Sequence, residues 1–513
     1  MTSQSGPVRS AGGSLPKDAA AVILLRSNTD PFDPEVFLVR RGQQLAFLGG
    51  FYAFPGGQLE PTDQHARVEN CNDAEIATMI SCAARELFEE LRVLVVRGGD
   101  SLTLGQRASI HDDLESGRMS WPVLLEHYGL HLDAADFMFV GRWVTPPFSS
   151  RRFDTWFFLV SCPPKQEPII TGGEHESGEW ASAAAAYEKW QGSALLAAPP
   201  VIHGLRTLGG GTGPDLADRF LAIREAHREP PRRIEFRPNY ICFPVLTPTK
   251  PPATHTNCYL IHTSEEILIV DPGSPYEEEQ KALAECVDNL CSEGRAVREI
   301  LLTHRHPDHI AGVNSLRSQR GIAVSSHRLT AEALNETIHV DRLLEDGDVI
   351  TLRGVPEIKL QVIHTPGHAR GHVCLYEERT GTLLSGDNIV GLGSVLIDPP
   401  EGNMRDYLDS LRRMRSLPNL SVMFGGHGPA IGNPHYKIDE YIAHRLEREQ
   451  NILQAVREGA SRPEAIVARV YTDVSPRAHA MAERAVIAHL EKLEEDNLVS
   501  RVADGWQAVP PVR

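Results

Sequence analysis

Apolar and polar positions along this chain follow three different rhythms. Between residues 17 and 230, runs such as Ala20 to Leu25 and Val36 to Arg40 are dense in Val, Leu, Ile and Phe and are bounded by Pro, Asp and Asn. That pattern predicts strands. A helix is expected from Ala74 to Leu94. The segment GGGTGPD at 209–215 punctuates the chain before a short helix, and EPPRRIEFRPN at 229–239 reads as a linker.

From 240 to 435 strands alternate with helices. Ile267 to Val270, Ile300 to Thr303, Ile358 to Ile363 and Thr382 to Leu384 are apolar runs ending in polar, Gly-containing turns. Helical spacing fills Glu277 to Glu293 and His309 to Arg320. Such alternation implies layered α/β structure. From 436 to 513 the rhythm is helical, with Ile438, Tyr441, Ile442, Leu446, Leu453 and Val456 recurring at steps of three or four. Ser461 and Glu464 predict a capping box for the next helix. Another helix is expected from about Ala478 to Asp496, and LVSRVADGWQAV predicts a hairpin around Asp504-Gly505. Helices followed by a hairpin is the order of a winged helix.

Composition narrows the function classes. At 513 residues the chain exceeds one ordinary core. No apolar run of about 18 residues is present, so no helix is expected to span a membrane. The opening MTSQSGPVRSAGGSLPKD is polar and lacks the apolar stretch of a secretory signal, so residues 1–16 read as a disordered tail. A net charge of −17 opposes a large non-specific nucleic-acid surface. Eight cysteines are scattered without a C-x-x-C pair. That predicts free, mostly buried thiols and a reducing, cytoplasmic setting.

The strongest chemical signal is THRHPDHIAG at 303–312, directly after the strand Glu299 to Leu302. Divalent metals of borderline softness favour imidazole nitrogen and carboxylate oxygen. Four candidate ligands in six residues can serve two ions where a strand end turns sharply into a helix. HTPGHARGH at 364–372, SGDN at 385–388 and GGHGP at 425–429 each follow an apolar run. Each of these His or Asp residues is therefore delivered to one rim of a sheet. The ordered set resembles the metallo-β-lactamase superfamily at every ligand position. The resemblance implies an αββα sandwich, normally with two zinc ions. It assigns His304, His306 and His368 to one ion, Asp308, His309 and His427 to the other, and Asp387 to both. Two dications sharing a water lower its pKa from ~15.7 towards ~7, which gives a nucleophile at neutral pH. Asp308 is the expected catalytic residue of this site, and His372, Asp271 and Asn257 are expected supports that orient the ligands.

Asn257-Cys-Tyr-Leu-Ile, DNIVGLGSVLIDPPEGNMRDYLDSL at 387–411 and HRLEREQ at 444–450 look like the β-lactamase-like protein 2 branch. That branch joins this fold to a C-terminal winged-helix-like domain and acts as a single-stranded-RNA endoribonuclease. Residues 436–513 hold 11 Lys+Arg against 13 Asp+Glu, a net of −2, whereas RNA-binding additions are usually basic. A glyoxalase-II-like thioesterase or another ester hydrolase is the alternative, because fold does not fix substrate.

In the first region FYAFPGGQLEPTD at 51–63 precedes AARELFEELRVL at 83–94. Glu86, Glu89 and Glu90 lie on one helical face, and crowded carboxylates suit Mg²⁺ or Mn²⁺. Gly56 and Gly57 permit close backbone approach beside them. The pattern resembles the Nudix box, in its coenzyme A diphosphatase-like branch, and FVGRWVTPPFSSRRFDTWFFLV at 139–160 looks like that branch too. Two departures stand out: 21 residues separate Asp63 from Arg85 where the box has seven, and Arg92 replaces the usual Gly. The resemblance implies a nucleoside-diphosphate-linked pyrophosphatase with Glu86, Glu89 and Glu90 on the metal and Glu89 and Glu90 catalytic. The alternative is a degenerate module that senses a nucleotide or CoA.

The expected organisation is a multidomain α/β chain: the tail at 1–16, a Nudix α/β/α sandwich at 17–230, a metallo-β-lactamase sandwich at 231–435 and a small winged-helix-like domain at 436–513. The expected partners are a nucleotide or CoA-type small molecule, with single-stranded RNA for the second site.

Overall fold

The computed structural model describes residues 15–45, 47–99, 102–149, 151–171, 173–472 and 475–510. The expected tail lies outside them apart from its last two residues. The chain forms two compact units, 1–241 and 242–513.

The first unit is an α/β domain in three layers. Its sheet runs in the order Tyr52–Ala53, Glu35–Arg41, Lys17–Leu25, Phe153–Ser161, Met138–Val144. Lys17–Leu25 pairs in parallel with Phe153–Ser161. Side chains on this central strand alternate between two cores, as strand geometry requires. Ala20, Val22 and Leu24 face the core that holds the helix Ala74–Leu91. Ala21, Ile23 and Leu25 face the core formed with Ala183–Gln191 and Pro199–Leu208. Each fully buried Val, Leu or Ile contributes roughly 1.5–3 kcal/mol.

The helix Ala74–Leu91 ends three residues before the expected Leu94. Arg92 takes a left-handed conformation, with φ 54° and ψ 21°, and its N–H bonds the carbonyl of Phe88. A glycine normally fills that position because it has no Cβ to clash. The stretch expected to be a linker also contains the strand Ile234–Arg237, whose Ile234 and Phe236 are buried.

The second unit opens as a sandwich of two sheets. One holds Tyr240–Leu246, His255–His262, Glu266–Val270, Ala296–Leu302, Val324–His327 and Arg342–Leu344 in that order. The other holds Val349–Leu352, Ile358–His364, Val373–Glu377, Thr382–Gly386 and Val422–Gly425. Helices such as Glu277–Ser292 and Met404–Arg415 cover the outer faces, giving αββα layering. The helix expected over His309 to Arg320 is two pieces, Pro307–Ile310 and Val313–Arg320. The break falls where the N–H of Gly312 turns to the carbonyl of Pro272.

The unit closes with a small winged helix: Pro463–Val470, His479–Glu495 and the hairpin Val499–Val502 with Gly505–Ala508. The expected capping box is absent. The first of these helices starts on a proline after Arg462, without a side-chain cap. The 24-residue helix Pro434–Arg457 serves both cores. Its Ile438 and Tyr441 join the sandwich core, and its Ile452, Ala455 and Val456 join the winged-helix core. That shared helix explains why both fall in one compact unit.

Candidate metal centre

Strand ends deliver the cluster. His304, His306, Asp308 and His309 follow the strand Ala296–Leu302, His368 follows Ile358–His364, Asp387 follows Thr382–Gly386 and His427 follows Val422–Gly425. All seven side chains come together at one edge of the sandwich. His306 Nδ1 lies 3.0 Å from His304 Nε2 and 2.9 Å from His368 Nε2. His427 Nε2 lies 3.5 Å from Asp308 Oδ2, and His309 Nε2 lies 3.9 Å from the same oxygen. Asp387 touches both halves, with Oδ1 3.4 Å from His309 Nε2 and Oδ2 3.7 Å from His368 Nε2. Gly426 makes the room, since a Cβ there would sit 2.2 Å from Asp387 Oδ1 and 2.7 Å from His309 Cε1.

The far nitrogens of the rings are fixed by hydrogen bonds. His368 donates through Nδ1 to the carbonyl of Leu396 at 2.9 Å, and His427 through Nδ1 to that of His255 at 2.8 Å. His309 donates through Nδ1 to Asp271 Oδ2 at 2.9 Å. Thr303 donates its N–H and Oγ1–H to the same carboxylate and accepts from His304 Nδ1 at 2.9 Å. These bonds leave Nε2 of His304, His309, His368 and His427 turned inward, the usual device for presenting imidazole to a metal. His372 accepts from the backbone N–H of Asp387 at 3.1 Å and donates to Thr365 Oγ1. Asn257 donates to the carbonyls of Gly425 and Gly428 on either side of His427. Thr303 and Thr365 were not singled out by sequence, where a threonine beside a histidine carries no distinctive signal.

The two halves differ electrostatically. Burial and the crowding of neighbouring imidazoles hold His304 well below its usual pKa and bring His306 down to about 3. Burial also lowers His368. All three shifts favour the neutral imidazole, the form that donates to a metal. In the other half burial opposes protonation of His309, but Asp387, Asp308 and Asp271 raise it well above the usual value. Asp387, although buried, is held well below the usual carboxylate range by His427 and His309. His309 Nε2 and Asp387 Oδ1 are buried and make no hydrogen bond. Polar atoms left so cost free energy unless something completes them. A divalent cation fits that donor set, and His304, His306 and His368 lie close enough to share one, as do Asp308, His309 and His427.

The cluster opens into a cleft of about 430 Å³. Val390, Leu392, Val395, Leu396 and Met481 give it an apolar wall, and Lys250 and Arg305 lie on its border. Arg305 is paired with Glu401 at 3.0 Å. Met481 belongs to the winged-helix region, so that region forms part of the wall. Arg484 on the same helix donates to Asp398 and to the carbonyl of Pro399, and Arg445 donates to the carbonyl of Val395. These bonds fix the loop that borders the His/Asp cluster. Sequence reasoning missed both Met481 in the cleft wall and the anchoring role of Arg484 and Arg445, since nothing in the helix rhythm marks these residues as facing a distant loop.

In the first unit the three glutamates are held by different partners. Arg85, almost fully buried, donates to Asp63 at 2.9 and 3.0 Å, to Glu86 at 2.9 Å and to Glu89 at 2.8 Å. Glu90 instead lies 2.9 Å from His175 Nε2 and accepts the N–H of Gly56 at 2.9 Å. Gly57 allows the strand to press on the helix, since a Cβ there would sit 2.4 Å from Glu86 Oε2. Burial, with Glu90 and Glu89 nearby, raises Glu86 to about 8 despite Arg85. The sequence carried no sign of His175, which stands far from the motif.

An αββα sandwich with a buried His/Asp cluster at its rim defines a metal-dependent hydrolase. The metallo-beta-lactamase superfamily model matches residues 251–427, and the beta-lactamase associated winged helix domain matches 463–506. A beta-lactamase-like protein 2 homolog of Drosophila melanogaster is 32% identical over 265 residues, covering 48% of this chain and 86% of the relative. The chain belongs to the metallo-beta-lactamase superfamily. It is also similar to an atrochrysone carboxyl ACP thioesterase of Paecilomyces divaricatus, 29% identical over 39% of this chain and 59% of that one. A NUDIX hydrolase structure from Alicyclobacillus acidocaldarius is 30% identical, with TM-score 0.36, over 40% of this chain and 96% of that chain. Among the described residues no helix is long and apolar enough to cross a membrane, and all eight cysteines are free thiols.

Proposed function

We propose that the second unit hydrolyses a carboxylic ester or thioester at a pair of divalent ions, normally zinc. His304, His306 and His368 would hold one ion, Asp308, His309 and His427 the other, with Asp387 shared. Bound there, such ions would supply Lewis acidity towards a water and a substrate carbonyl. The chain's own residues do the rest. Asp271 and Thr303 keep His309 and His304 in the tautomers that face inward. The Val390–Leu396 loop and Met481 shelter the apolar side of a substrate, and shelter strengthens every electrostatic contact inside. Lys250 at the border suits an anionic arm.

The observation that carries this reading is the cleft lining. Among the described residues that line it, none is Phe, Tyr or Trp, and Arg305 already has an acidic partner. Proteins that grip single-stranded nucleic acid rely on stacked aromatics and a basic groove. Phosphodiester cleavage of single-stranded RNA is the second reading, favoured by the winged helix at the cleft wall. Full-length protein loaded with Zn²⁺ should cleave a CoA or glutathione thioester, and Asp308→Ala should abolish this. Cleavage of RNA with thioesters left intact would replace the first reading by the second.

For the first unit we propose a Nudix-type site. Glu86, Glu89 and Glu90 would hold Mg²⁺ or Mn²⁺ and act on a nucleoside-diphosphate-linked or CoA-type compound. The R-E-x-x-E-E helix pressed against Gly57 supports this. Release of nucleotide products from CoA or ADP-ribose should stop in Glu89→Gln. Binding without turnover by the unaltered protein would make the unit a ligand sensor.

A further inference from the structure

The helix Leu104–Glu115 carries a constellation that neither proposed site uses. His111 is fully buried, with its ring edge-on to Phe88 at a centroid distance of 5.5 Å. Its Nε2 lies 2.9 Å from the backbone carbonyl of Glu89. A carbonyl only accepts, so Nε2 carries the ring proton and Nδ1 is left with a lone pair. That Nδ1 is shielded from solvent and makes no hydrogen bond. It lies 3.6 Å from Glu115 Oε2 and 3.9 Å from Asp112 Oδ1. A lone pair facing two carboxylates is repulsive. Either a second proton on the ring or a cation removes the repulsion.

We infer that His111, Asp112 and Glu115 form a binding site for a divalent transition-metal ion. The three donor atoms lie within 4.8 Å of one another. His111 and Glu115 stand one helical turn apart, so both reach the same point in space. One imidazole with two carboxylates suits an ion of zinc-like softness. The carboxylates are 61% and 63% exposed, so ions can enter and water can complete the coordination. Glu115 also borders a cavity of about 480 Å³ shared with Glu89 and Arg85. The hydrogen bond from His111 to Glu89 ties the ion's position to the helix that carries the glutamates. The site would steady that helix rather than do chemistry itself.

The test uses the full chain and Zn²⁺ alone, comparing the unaltered protein with an Asp112→Asn, Glu115→Gln variant. Both changed side chains are exposed, so folding should survive. At buffered free Zn²⁺ the variant should retain one ion fewer per chain. Zinc affinity at this position should fall at least about tenfold, since even outer partners of metal ligands cost that much. Zinc should also slow amide exchange across residues 104–116 in the unaltered protein and not in the variant. Equal ion counts, or exchange that ignores zinc in the unaltered protein, overturns the inference. A doubly protonated His111 at neutral pH, seen by imidazole nitrogen NMR with zinc present, overturns it as well.

Discussion

Two clusters of ionisable groups in this chain solve the problem of buried charge in opposite ways. In the second unit four imidazoles turn Nε2 inward, joined by His306 Nδ1 and the carboxylates of Asp308 and Asp387. Among the described residues, the ion pairs within that cluster join only histidines and aspartates. His309 Nε2 and Asp387 Oδ1 are left without hydrogen-bond partners. In the first unit Arg85 sits among Asp63, Glu86 and Glu89 as a built-in cation, and His175 faces Glu90. One cluster is shaped to be completed from outside. The other is largely neutralised by the chain itself, and an added Mg²⁺ must compete with a guanidinium already in place.

That contrast can be broken by substitution. The largest effect should come from His306→Ala, which removes the nitrogen that meets both His304 and His368. Metal affinity and hydrolysis by the second unit should fall by more than about a hundredfold, since loss of mere outer partners costs 10–100-fold. The first unit's thermal unfolding should be unmoved. Arg85→Met is the counterpart. It strands the fully buried Asp63, and losing one member of a buried ion pair costs about 3–5 kcal/mol. Denaturant unfolding should show that loss in the first unit, while metal bound by the second is unchanged.

Acidity sharpens the comparison. Glu86 is raised from 4.5 to about 8 in the fold, so between those values the folded state holds a proton that the unfolded chain has released. Its stabilising contribution is complete below about 4.5 and fades as pH rises through about 8. Glu86→Gln should therefore flatten the loss of first-unit stability over that window, measured by urea melts at several pH values. The smallest effect is expected at Arg92. Left-handed backbone costs an L-residue roughly 1–2 kcal/mol, partly offset by the extra entropy of an unfolded glycine. Arg92→Gly should raise first-unit stability by up to about 1 kcal/mol, read from the same melts.

Much of the second site was legible because strand ends and ligands coincide along the chain. THRHPDH, TPGH, SGD and GGHG each follow an apolar run, so a sheet rim could be inferred before any coordinates. The order of three layered regions was legible for a similar reason, since period-two and period-3.6 patterns separate cleanly. What sequence could not show was where side chains far apart would meet. Arg85 looked like the first letter of a motif rather than a counterion for Asp63. His175 and Met481 reach their sites through tertiary packing that leaves no local trace. Boundaries slipped where one residue decides them. Arg92 stops a helix that its apolar spacing would have continued, and Ile234 and Phe236 make a strand of a segment whose prolines and arginines suggested a linker.

The central claim is that one unit's cluster is built around two ions. Crystals of the full chain grown with Zn²⁺, measured at the zinc absorption edge, test it most directly. Two anomalous peaks should appear in the second unit, one among His304, His306 and His368 and one among Asp308, His309 and His427, both within bonding distance of Asp387. A cluster without anomalous density, or with one peak that leaves Asp387 or His427 uncoordinated, would contradict it.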